Sequence, residues 1–400
     1  MNNSLAPAVC MERIQTLDVL RGFSLFGIIL VNMIGFHSPY GYYNPYEWWE
    51  YGDLTAYVWI DIFVQGSFYP IFAMLFGYGM VMIQRKALAG GYSFWNIAVR
   101  RLLVLLAIGV IHAFFIWYGD ILITYALMGL LLLLFLKIPG PFLIGSGMVL
   151  YLLPQLLFSG LFILIHLHDG VSLTDYTDIV GLQNSQEIYS SGSYLEVTSQ
   201  RIADWKMNNL SGGFVLYIFL ILPMMMIGAG AAKLKWIEQA KEHWKMWLAI
   251  FLIALPAGIA VKLIPFFAGA SLSLQYIQDA LGGPILGFAY AAGLILLMNS
   301  RLAAGVLEPI AAMGRMSLSM YLMQSIVGTL IFYPYGLGLY GKVSLITGTW
   351  LAILIYVIQV VLAGIWLSKF KRGPAEMLWR RLTYGKNMKR RSGTNEVNEF

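Results

Sequence analysis

The chain has 400 residues, 59% of them hydrophobic and only 12% charged, with a formal net charge of +6. A soluble chain carries about 25% charged residues, so a soluble enzyme or binding module is excluded, and an all-α polytopic integral membrane protein with about ten transmembrane helices is expected. The one cysteine, Cys10, excludes a disulfide framework and a thiolate zinc site, and the positive charge follows membrane topology, which excludes nucleic acid as a partner.

A short tail, 1–16, precedes the first predicted span at 17–36. That span carries Asp18 and Arg21 and lacks a small-residue cleavage site, so it remains as a helix and is not a signal peptide. Asp18 and Arg21 are i,i+3 neighbours. Asn32, eleven residues after Arg21, continues the same face about 16 Å further along. Such a polar stripe faces protein or water. It either staples helices together or forms a site where Arg21 holds an anion.

An outer loop rich in Tyr and Trp, 37–57, leads to the second span, 58–83. Asp61 and Gln65 stand one turn apart there, near the outer interface, and Pro70 permits a kink. The third span, 101–118, puts Arg101 at the inner end and His112 about 16 Å deeper on the same face. A guanidinium at that surface suits phosphates, and a mid-membrane imidazole suits a general base. Asp120, at the start of the fourth span, 120–137, is placed to orient the imidazole, a recurrent catalytic pairing. The competing reading is a core histidine bonded to a neighbouring helix, with Arg101 a topological anchor.

A fifth span, 141–166, completes an N-terminal five-helix half, 17–166. The segment 167–211 is the only long polar stretch, and its YLEVTSQRIADWKMNN reads as an amphipathic helix on the outer surface. With the first loop it is placed to cover a cavity. His166 and His168 beside it make a poor metal site. The C-terminal half, 212–368, holds spans at 212–233, 246–265, 276–298, 316–335 and 344–368. The ninth of these begins after Arg315 and carries Tyr321 and Gln324; such polar groups either glue helices or contact a ligand. The basic tail, 369–400, reads as a disordered segment against anionic lipid. Placing both termini in the cytoplasm puts 22 of the 26 Lys and Arg inside and four outside (Arg201, Lys206, Lys262 and Lys342). No phosphate loop, HExxH, GxSxG or metal-ligand cluster is present, and neither a metal nor a tightly bound cofactor is expected.

The stretches RIQTLDVLRGFSLFGIILVN, FYPIFAMLFGYG, RRLLVLLAIGVIHAFFIWYGDILITYALMG, GRMSLSMYLMQSIVGTLIFYPYGLGLYG and FKRGPAEMLWRRLTYG resemble, in order, the YeiB-like family of bacterial inner-membrane proteins, domain of unknown function 418. The resemblance implies a multi-pass protein of the bacterial cytoplasmic membrane. The first helix also resembles the transmembrane acyltransferases of the acyltransferase-3 and heparan glucosaminide N-acetyltransferase types, which open with Arg-x4-Asp-x2-Arg, here Arg13, Asp18 and Arg21. Where the acyltransferase-3 type has its catalytic histidine, this chain has Asn32; the histidine is then expected from His112 or His37.

Taken together, the expected function is acyl transfer from cytoplasmic acyl-CoA to a hydroxyl or amine acceptor on a sugar or lipid. His112 would be the base, Asp120 would orient it, and Arg21, Arg101, Arg315, Asp18, Asn32, Asp61, Tyr321 and Gln324 would contact ligands. A transporter or flippase and a non-catalytic scaffold are the alternatives. Besides the bilayer, the expected partners are the acyl-CoA donor, the acceptor and a second copy of the chain in a homodimer.

Overall fold

The computed structural model describes residues 13–169, 177–210, 213–268 and 272–385. Cys10, the end of the basic tail and the side chains of His166 and His168 lie outside the described residues. The helices are α1 (Gln15–His37), α2 (Tyr51–Phe63), α3 (Phe68–Ala89), α4 (Phe94–Phe115), α5 (Leu122–Phe135), α6 (Gly140–Asp169), α7 (Ile179–Ser191), α8 (Tyr194–Leu210) and α9 (Gly213–Lys233). The C-terminal half follows with α10 (Trp244–Ala268), α11 (Gly283–Leu297), α12 (Glu308–Arg315), α13 (Ser317–Phe332), α14 (Leu345–Lys369) and α15 (Pro374–Tyr384). Among the described residues, eight segments are long and apolar enough to cross a membrane; with the shorter apolar helices α5 and α13 they overlap all ten predicted spans.

Burial sorts the helices. In α1 and α9, 67% of the most apolar window is enclosed by protein, against 17% in α10. The first two are interior and the last has an outward apolar face, as a helix in lipid requires. With no hydrophobic drive between helices in hydrocarbon, close backbone approach has to hold α3 to α9. Gly77 and Gly228 supply it. A Cβ at Gly77 would overlap the Met225 carbonyl, and one at Gly228 the Met74 carbonyl.

Two expectations change here. The second span, predicted as one helix with a kink at Pro70, is broken at 64–67 instead. Gly66 turns there with φ +72, its backbone against Asp279 and Gly283, and Pro70 sits in the first turn of α3, where a missing N–H costs nothing. The facing span is also irregular, with a π-helical turn at Gln278–Gly282, a feature that widens a helix locally. The tail also differs from expectation: it folds into α15 before the described chain ends. Gly373 and Pro374 start that helix, and Glu376 anchors it.

Arg13 and Tyr384 line one cavity, so the two described ends of the chain lie at the same end of the bundle, here called the basic end. At the opposite end the first loop and the 177–210 segment are tied together. The Asp178 N–H donates to the Tyr42 carbonyl at 2.9 Å, and the Tyr42 hydroxyl donates to Asp204 at 2.5 Å. Asp204 also accepts from Tyr189 at 2.5 Å and Gln200 at 2.8 Å. Burial raises its carboxyl above the usual range, and these donors partly offset that. Helix α8, expected on the membrane surface, packs onto the end of α4, where Arg201 donates to the Phe114 carbonyl at 3.0 Å.

Candidate functional site

Three of the cavities among the described residues lie along the bundle. At the basic end, α1, α3, α4, α13 and α15 enclose about 310 Å³, lined by six arginines and one carboxylate, Glu376. Arg21, Arg101 and Arg315, predicted from three separate helices, all reach it; Arg13, Arg372 and Arg380 join them. Asp18 sits behind this wall, accepting from Arg13 at 2.5 Å and from Arg21 at 3.1 Å. The Nε of Arg315 is buried without a hydrogen-bond partner. Burial, and then the neighbouring Arg380 and Arg13 guanidiniums, pull Arg372 below its ordinary range. So many cations around one concavity repel one another unless an anion lies among them.

Helix α15 closes this cavity. The Glu376 carboxylate accepts from the Leu318 N–H at 2.8 Å and the Ser319 N–H at 3.1 Å, capping the positive end of α13. Trp379 stacks on Arg101, whose guanidinium carbon lies 3.5 Å from the ring centroid, and its indole N–H donates to the Arg101 carbonyl at 2.9 Å. A neutral but isosteric Glu376→Gln is therefore expected to loosen α15 by about 1 kcal/mol. Faster amide exchange across 374–384 checks this; unchanged exchange would refute the anchoring role.

The middle cavity, about 430 Å³, lies above the first, and Ile28, Ile121 and Tyr321 line both. Asn32, Asp120, Asn208 and Asn209 give it polar walls. The Tyr321 hydroxyl accepts from the Ile121 N–H at 3.3 Å and donates to the Gly119 carbonyl at 3.2 Å, which fixes the ring between the two spaces. His112 and Asp120, eight residues apart across the end of α4, do meet: Nδ1 lies 2.8 Å from Oδ1, with both side chains fully buried. Asp120 Oδ2 also accepts from the Ile123 N–H at 2.7 Å, at the start of α5. The carboxylate thus holds one imidazole nitrogen, while Nε2 is buried and makes no hydrogen bond. The imidazole is not on either cavity wall; its ring centre lies 5.2 Å from that of Tyr321, which is on both.

The remaining predicted residues divide. Asp61, expected near the outer interface, is buried and lines a third cavity with Gln65. Gln324 lines none of these three cavities; it donates to Gln359 Oε1 at 2.9 Å, an interhelical staple. His37 is buried beside Trp49 and Phe332 and lines no described cavity. Sequence reasoning missed Glu376, Trp379, Arg372 and Arg380. The signal lay in Gly373-Pro374 followed by Glu376 and the apolar Met377, Leu378 and Leu382, which the surrounding charge outweighed.

Residues 231–386 match the family described as "Protein of unknown function (DUF418)". Over nearly full length the chain is similar to "Uncharacterized protein YxaH" of Bacillus subtilis, at 37% identity covering 96% of this chain and 97% of that one. It is also similar to "Uncharacterized protein YeiB" of Escherichia coli, at 29% identity covering 93% and 97% respectively.

Proposed function

For this chain, which belongs to the DUF418 family, we propose transfer of an acyl group from an acyl-CoA held at the basic end to a hydroxyl or amine acceptor in the middle cavity. The observation that carries this is the convergence of Arg21, Arg101 and Arg315 on one cavity whose deep wall, Tyr321, packs against a histidine with a free Nε2. The positive-inside rule puts the basic end in the cytoplasm, where acyl-CoA is available. The arginines take the phosphates, with bidentate geometry available to each guanidinium. The thioester then points toward Tyr321.

Displacement of the Tyr321 ring opens His112 to the substrates. Nε2 takes the proton from the acceptor O–H or N–H, the acceptor attacks the thioester carbonyl, the C–S bond breaks, and the departing thiolate takes that proton from the imidazolium. Asp120, bonded to Nδ1, holds the tautomer in which Nε2 is basic and stabilises the transient cation. A second reading, transport of an anionic solute, is favoured by one feature: the basic-end and middle cavities have Ile28, Ile121 and Tyr321 as common lining residues.

Calorimetry of the detergent-purified chain with acetyl-CoA separates these. Saturable binding is expected, weakened about tenfold or more in Arg21→Ala and Arg101→Ala, with release of free CoA when an acceptor is added. No binding at millimolar acetyl-CoA refutes the transfer reading, and solute flux in proteoliposomes without chemical change establishes the second.

A further inference from the structure

The third cavity, about 700 Å³, lies toward the opposite end and shares Gln65, Gly66 and Tyr69 with the middle one. Its size falls within the range of small-molecule sites, about 300–1,000 Å³. Two carboxylates, Asp61 and Asp279, and five tyrosines, among them Tyr46, Tyr57 and Tyr276, form much of its wall.

The two carboxylates are not equivalent. Asp279 Oδ1 is paired with the fully buried Lys262 ammonium at 2.7 Å. Among the described residues, Asp61, 3% exposed, accepts only from neutral donors, the Tyr46 hydroxyl and Gln278 Nε2, and both go to one oxygen, Oδ2. Two carboxylates and one ammonium leave the cavity net negative. A buried carboxylate with no cation in hydrogen-bond contact is costly, by several kcal/mol, and tyrosine rings on the same wall suit a cation's carbon shell. The Oε1 atom of Gln65, on the wall common to both cavities, is also buried without a partner. The π turn at Gln278–Gly282 sets Asp279 and Ala280 into this wall and brings Gln278 Nε2 to Asp61 Oδ2 behind it, and such turns concentrate at functional sites.

We propose that this cavity binds a small organic cation, an ammonium compound whose charge sits against Asp61 Oδ1 and whose carbon shell packs on the tyrosines. That the bound compound presents the acceptor hydroxyl or amine to the middle cavity rests on the acyl-transfer reading; the binding itself does not.

The probes are choline and its uncharged carbon isostere, dimethylbutanol, titrated into the purified full-length chain at constant ionic strength. Choline is expected to bind saturably and about tenfold or more tighter than the isostere, and Asp61→Asn is expected to remove that preference while acetyl-CoA binding stays at the wild-type level. Leu220→Phe, which fills the shared wall without touching a charge, is expected to weaken both probes. Equal binding of the two probes, or no choline binding by the wild type, overturns the cation site. Choline preference unchanged in Asp61→Asn overturns it equally. Choline binding without acetyl-CoA binding would leave the cation site standing and remove the acyl-transfer reading alone.

Discussion

Replacing His112 by glutamine is expected to abolish acyl transfer while leaving the protein folded and able to bind acetyl-CoA. The reason is the division of labour on the ring. Nδ1 is held by Asp120 at 2.8 Å, and only Nε2 is available for a proton. A glutamine amide can still donate to Asp120, so the carboxylate is not left alone in the interior, where an unpaired charge costs about 3–5 kcal/mol. It cannot take a proton. The loss in turnover should be about 10²–10⁴-fold, the usual worth of a general base. Asp120→Asn should retain more activity than His112→Gln, because the base survives with a poorer orientation. Release of CoA thiol in proteoliposomes, alongside size-exclusion profiles, reads both quantities. Turnover by His112→Gln at the wild-type level would remove the imidazole from the mechanism.

The largest effect on the fold is expected at the contact of α3 with α9. Gly228→Val places a Cβ where the Met74 carbonyl stands, and no side-chain rotation relieves a clash made by Cβ with backbone. The helices must separate, at a cost of about 3 kcal/mol or more. Gly364→Val is the matched control: it makes the same change in α14, where a Cβ meets nothing within 4 Å. Yield and thermal stability in detergent should fall sharply for the first and hold for the second. Equal behaviour of the two would show that the close approach of α3 and α9 does not limit stability.

Hydropathy alone located the membrane helices, because a run of about 20 apolar residues has few other uses. The one span it misdrew, 58–83, failed for a local reason: the break depends on Gly66 adopting positive φ against a neighbouring chain segment, and a glycine in an apolar run does not announce this. Of the candidate site, the individual arginines were legible and their meeting was not. Arg21, Arg101 and Arg315 each read equally well as an anchor at the membrane surface, and only tertiary packing shows that the three meet on one cavity. The pairing of His112 with Asp120 was expected from the sequence, but the turn at 116–121 that folds the carboxylate back to make the contact has no periodicity to reveal it. Gln324 illustrates the reverse case: a polar residue in mid-span whose partner, Gln359, is simply another helix.

The Tyr321 partition has an electrical consequence. A bilayer's hydrocarbon core is about 30 Å thick, and a voltage across it normally falls over that whole distance. Solvent that filled the basic-end and middle cavities from opposite sides would carry each bath inward to Tyr321, Ile28 and Ile121, the residues common to both, and would compress the voltage drop into the layer they form. A charge that moves through this layer then experiences most of the membrane potential in one short step, worth about 2.3 kcal/mol per elementary charge at 100 mV. The His112 imidazole, packed against Tyr321, lies beside that layer, so on the proposed mechanism a proton taken up there would be exchanged within the steepest part of the field. In an energised membrane, the polarity of the cell would thus enter directly into how readily the site gains or loses its proton.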